Sequence, residues 1–155
     1  MKTGFFTLFL LFFFAVQMPV AYAGEFSSER AEADQLYLEK DFKKAGKIYY
    51  KLAKDGDHFS QGRFSHMLAN GEGRRVDLEK AYAWSVLAEE GGASFVTSSS
   101  AQLLQRIDDK PGGRKAAEKM KAKYGKKALV AQAQKRMEIK ADKRSSSSMG
   151  SNLSR

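Results

Sequence analysis

Between residues 41 and 55, the apolar positions Ala45, Ile48, Tyr49, Leu52 and Ala53 recur at i, i+3, i+4, i+7 and i+8. That spacing lines one face of a helix. Similar patterns predict a helix over residues 57–70, burying Phe64, Met67 and Leu68. Another is predicted over residues 77–90, burying Ala81, Trp84, Leu87 and Ala88. Before these, residues 28–40 read as a first helix with Ser28 as its N-terminal cap. A weaker fifth helix is expected over residues 94–107, where Ala101, Leu103, Leu104 and Ile107 follow a run of hydroxyl residues. No segment alternates with period two, so no strand is expected. Gly56, Gly71-Glu72-Gly73 and Gly91-Gly92 punctuate the pattern, and "DDKPGG" at 108–113 reads as a break. Beyond it, residues 114–143 form a sixth helical stretch. Its narrow stripe of Ala117, Met120 and Tyr124 is interrupted at Gly125 and resumes at Val130, Ala133 and Met137. The fold class expected is all-α.

The helices repeat. A shift of 36 residues sets Asp41 on Asp77, Lys44 on Lys80, Ala45 on Ala81, Ile48 on Trp84 and Gly56 on Gly92. The same shift sets Ser65 on Ala101 and Leu68 on Leu104. A period of this size with two helices per unit predicts a short α-solenoid of antiparallel helix pairs, because a single pair cannot bury its apolar face alone. Gly71-Glu72-Gly73 raises the alternative of a phosphate-binding loop. That loop needs a preceding strand and a following Gly-Lys-Ser/Thr. A helix precedes these glycines and no such sequence follows, so they read as a helix end, with Asp77 capping the next helix.

At residues 71–92 the sequence resembles the Sel-one-like repeat family, a relative of the tetratricopeptide repeats. Gly71, Gly73, Asp77, Lys80, Ala81, Trp84, Ala88 and Gly92 fall on the family pattern. Ser60, Phe64, Ser65, Leu68 and Glu89 depart from it. The likeness covers about residues 29–107. The resemblance implies an adaptor that holds a partner protein or peptide on its concave face. If the first helix of each pair lines that face, as in the related repeats, the candidate contacts are Tyr37, Arg63, His66, Met67 and Asn70.

The chain opens with Lys2, an apolar run over residues 5–16, Pro19 and then Ala21-Tyr22-Ala23. This three-part form is that of a secretory signal peptide cleaved after Ala23. The run is shorter than the roughly 20 residues a membrane span needs. Residues 24–109 then carry the repeats, and the expected location is the periplasm or outside the cell. With no cysteine anywhere, thiol nucleophiles, zinc–thiolate sites and iron–sulfur clusters are excluded, and stability rests on packing without disulfides.

Catalytic chemistry finds no support in the pattern. His58 and His66 are the only histidines; eight residues of helix separate them by about 12 Å, too far for one metal ion. "DGDHFSQG" places Phe59 where a calcium loop needs a ligand. No Gly-x-Ser-x-Gly occurs, and no cofactor is expected.

Charge divides the chain. Residues 24–109 hold 12 basic and 15 acidic side chains, whereas residues 110–144 hold 13 basic and three acidic. The basic C-terminal helix has two readings. Its apolar stripe caps the repeats, or its lysines, among them Lys119, Lys123, Lys126 and Lys127, bind an anionic membrane or cell-wall surface. Nucleic acid fits poorly, since Tyr124 is the only aromatic residue in the basic region. The Ser-rich tail, residues 145–155, is expected to be disordered.

Overall fold

The computed structural model describes residues 26–93 and 99–150. The proposed signal segment, the first residues of the fifth predicted helix and residues 151–155 lie outside the described residues. Seven helices are described: α1 (Ser27–Leu38), α2 (Phe42–Lys54), α3 (His58–Asn70), α4 (Leu78–Glu90), α5 (Ser100–Gln105), α6 (Lys110–Tyr124) and α7 (Lys126–Gly150). Among the described residues the chain is all-helical, and none of these helices is long and apolar enough to cross a membrane.

Local chemistry sets most helix starts. Asp41, Asp57, Asp77, Ser99 and Asp109 each accept a hydrogen bond from the backbone N–H three residues on. Each such cap satisfies a donor that the helix itself cannot, and is worth about 1 kcal/mol. The 36-residue spacing is visible at this level. Asp41 accepts from the Lys44 N–H at 3.1 Å and meets the Lys44 ammonium at 2.7 Å; Asp77 does the same with Lys80 at 3.0 and 2.6 Å. Two sequence expectations shift here. Ser28 does not cap α1, because the helix begins one residue earlier, with Phe26 at the cap position and no side-chain bond. The break at 108–113 is shorter than expected. Asp109 caps α6, and Pro111 sits in the first turn, where its missing N–H costs nothing.

Successive helices pack on one another from α1 to α4, and α4 then takes both α5 and α6. Ala45 and Ala81 are fully buried, so their helices approach neighbours closely. An aromatic file crosses the body. Tyr50 meets Phe64 at 5.0 Å between ring centroids, Phe64 meets Trp84 at 5.9 Å, and Trp84 stacks on Tyr124 of α6 at 5.4 Å. Ser65 donates its hydroxyl to the Ala81 carbonyl at 2.6 Å and ties α3 to α4.

The basic extension divides at Gly125, whose extended backbone (φ −70°, ψ 157°) separates α6 from α7. α6 covers the end of the body with Ala117, Met120 and Tyr124, and Lys121 reaches Glu90 at 2.6 Å. α7 packs mainly on α6. Its predicted stripe is not buried: Val130 is 49% exposed, Met137 69%, and Ala133 is also exposed. The helix continues six residues into the Ser-rich stretch, to Gly150.

Candidate functional site

α1 places Arg30, Asp34 and Tyr37 at i, i+4 and i+7, and α3 places Phe59, Arg63, His66 and Asn70 at i, i+4, i+7 and i+11. These two stripes meet through polar and aromatic groups. The Arg30 guanidinium grips Asp57 side-on, Nε to Oδ2 at 3.1 Å and Nη2 to Oδ1 at 2.5 Å, and lies 5.1 Å from the centroid of the Phe59 ring. Arg63 lies 5.4 Å from the same ring and 5.6 Å from that of Tyr37. Its Nε is buried, and no acceptor among the described residues reaches it.

The loop after α3 completes this face. Gly71 is left-handed (φ +75°) and its N–H donates to the Met67 carbonyl, which closes α3. Gly73 is also left-handed (φ +71°) and lies against α2, where a Cβ would stand 2.7 Å from the Phe42 carbonyl. The two glycines therefore fold the loop onto the start of α2 and turn Glu72 toward α1. The Tyr37 hydroxyl donates to both Glu72 oxygens at 3.1 and 3.0 Å, and His66 Nε2 lies 3.8 Å from Glu72. Asn70 bonds the same His66 nitrogen at 3.0 Å. Beneath, the buried Tyr49 donates its hydroxyl to Asp34. Burial first, and then the Glu72 hydrogen bond and charge, push the Tyr37 phenol above its ordinary pKa; Tyr49 is pushed up by burial and by Asp34 in the same order.

Of the residues expected on this face, Tyr37, Arg63, His66 and Asn70 are brought together. Met67 is not on it. It is 0% exposed, and its Cε packs where a Cβ at Gly46 of α2 would come within 3.2 Å, so it belongs to the core. Arg30, Phe59 and Glu72 join the face without having been expected. The shared i, i+4, i+7 spacing could have indicated the first two, whereas Glu72 depends on the loop path.

The four candidate lysines are exposed. Lys119 and Lys123 lie on α6, where Lys123 sits 5.1 Å from the Tyr124 ring centroid, and Lys126 and Lys127 begin α7. His58 and His66 engage separate partners, Gln61 at 2.8 Å and Asn70. Among the described residues no three His, Asp or Glu side chains converge as metal ligands would. No family model matches this chain, and no curated protein or solved structure is significantly similar to it. The likeness to Sel-one-like repeats therefore rests on the quoted residues alone.

Proposed function

We propose that this chain is an exported helical-repeat binding module, not an enzyme, that holds a partner protein or peptide against the face formed by α1 and α3. In this reading the helix pairs stack as a short solenoid, with α1 and α3 as the first helices of successive pairs. One observation carries it. α1 and α3 meet through half-exposed arginine, tyrosine and phenylalanine side chains, with His66 beside them on α3 and the buried core packed behind. Polar groups fixed on rigid helices orient a bound chain, and tyrosine, phenylalanine and arginine give large contact area at low entropic cost. Export and the repeat family enter from the residues quoted above. The test is a photo-crosslinking residue at position 70, compared with one at the exposed position 79, in the native host. A defined adduct from position 70 that persists at about 0.5 M salt and is lost in a Tyr37→Ala background supports the reading. Equal labelling from both positions refutes it.

A second reading is supported by α7, whose Val130, Met137 and Ile139 stand exposed among lysines and arginines. Here α7 touches an anionic lipid or cell-wall surface while α6 caps the body, so the two readings of the basic extension fall on different helices. Co-sedimentation with anionic vesicles that disappears at about 0.5 M salt, and on truncation before Lys126, is the result expected.

A further inference from the structure

Two arginines lie against the Phe59 ring. Arg30 approaches at 5.1 Å and Arg63 at 5.4 Å from the ring centroid, but only one guanidinium is matched. Arg30 uses its Nε and one Nη to take both oxygens of Asp57. Arg63 has neither a hydrogen bond nor an ion pair among the described residues, and its Nε is buried without an acceptor. A cation that is half-buried and unmatched is unfavourable by itself, and an acceptor that supplies the missing bonds recovers that deficit on binding. The side-on fork of Nε and Nη fits the two oxygens of a carboxylate better than the single oxygen of a carbonyl.

We infer that Arg63 is the specificity-determining anchor of the α1–α3 face and that it takes a carboxylate of a bound peptide, as Arg30 takes Asp57. This rests on the proposed peptide-binding role of that face. The neighbouring carboxylates do not fill the position themselves: Glu72 is held by Tyr37, and Asp34 by Tyr49. Their presence also limits what can bind. A second negative charge beside the first would meet Asp34 or Glu72, so the preferred segment carries one carboxylate among uncharged or basic neighbours. Because the Nε is covered in the free chain, binding begins at the open end of the guanidinium and turns the side chain until the fork is complete.

The carboxylate has two possible sources, an Asp or Glu side chain or the C-terminus of a chain. Two random-peptide display libraries separate them, one with its peptides' C-termini fused to the coat protein and one with free C-termini, both selected on the purified full-length protein. The expected result is enrichment of sequences with one Asp or Glu at a fixed place in the first library, or of any sequence with a free end in the second. Binding of a selected peptide should fall roughly tenfold or more when its carboxylate becomes an amide, and equally with Arg63→Gln. Arg63→Lys should not restore it, because a point charge does not reproduce the fork. Circular dichroism checks that each variant is folded, and Arg63→Lys, which keeps charge and stem, serves if Arg63→Gln is not. Selected peptides that lack a carboxylate, or that bind Arg63→Gln as well as the parent, overturn this inference and leave the peptide-binding face standing. No enrichment from either library overturns both.

Discussion

Tyr37 and Glu72, 35 residues apart in the chain, are joined by one phenol that donates to both carboxylate oxygens at 3.1 and 3.0 Å. The bond fastens the loop between α3 and α4 to α1, a helix that packs mainly on α2. Tyr37→Phe removes the bond and keeps the ring contacts with Phe42 and Tyr49. A hydrogen bond to a charged group is worth roughly 1.5–3 kcal/mol, and partial exposure places this one near the lower end. Urea unfolding should show a loss of about 1–1.5 kcal/mol. Amide exchange at Glu72 and Gly73 should quicken more than exchange in α4.

Gly73 and Gly92 offer a matched comparison. Both have positive φ, +71° and +82°. A Cβ at Gly92 meets nothing within 4 Å, whereas one at Gly73 meets the backbone of Phe42 and Lys43 at 2.7–2.8 Å. Gly92→Ala should therefore cost about 1 kcal/mol, the conformational term alone. Gly73→Ala should cost clearly more, because backbone must move as well. Thermal unfolding of the two variants side by side checks the order, and equal losses would mean that the loop moves freely off α2.

Stability should fall at both ends of the pH range. Asp77 is held below the usual carboxylate pKa: burial pulls it up, but the Lys80 ammonium and backbone N–H outweigh that. Asp41 is lowered by the same two groups of Lys44. A lowered carboxylate stabilises the fold above its unfolded pKa, near 4, and that contribution is lost as pH falls through the folded value. Tyr37 and Tyr49 are shifted the other way, above 10. Their contribution is complete below about 10 and is lost as pH rises through the folded values. Denaturant midpoints should thus decline below about pH 4 and above about pH 10. Tyr49→Phe should flatten the alkaline limb, and Asp77→Asn the acid one.

Truncation should separate the two basic helices. Trp84, the only tryptophan, is 1% exposed and stacks on Tyr124. Removing residues 126–155 leaves that stack in place, so emission should remain blue-shifted and the melting temperature should change little. Removing residues 110–155 uncovers Trp84 and the surface beneath Ala117 and Met120. Emission should shift to the red, with a loss of several kcal/mol from the uncovered apolar area. A similar loss from both truncations would mean that α7 is part of the cap.

How much of this was legible depended on how local each feature is. Asp41, Asp57 and Asp77 could be placed as helix starts because a cap bonds only three residues ahead. The start of α6 was hidden, since Pro-Gly-Gly reads as a break unless Asp109 is seen capping it. Periodicity identified the stripe on α7 but could not say that nothing packs on it, because that depends on where α6 ends and how Gly125 turns. Arg63, His66 and Asn70 share one stripe of α3 by helix spacing, whereas only the resemblance to repeat proteins implies that Tyr37 of α1 joins them. Met67 lies at the edge of that stripe, and the space beside Gly46 draws it inward. Arg30, Phe59 and Glu72 become part of the face only through partners on other elements, which one segment of sequence does not contain.

Gly125 also has a mechanical consequence. At 1.5 Å per residue, the 25 residues of α7 form a rod about 37 Å long, joined to α6 at Gly125 and held at its start by Leu129 beside Gly56 and by Gln132, which donates to the Lys123 carbonyl. A change of about 10° at that joint displaces the far end by about 6 Å, as follows from the same rise. The exposed Met137 and Ile139 thus sweep furthest, while the first turns of α7 stay beside Gly56 and Lys123.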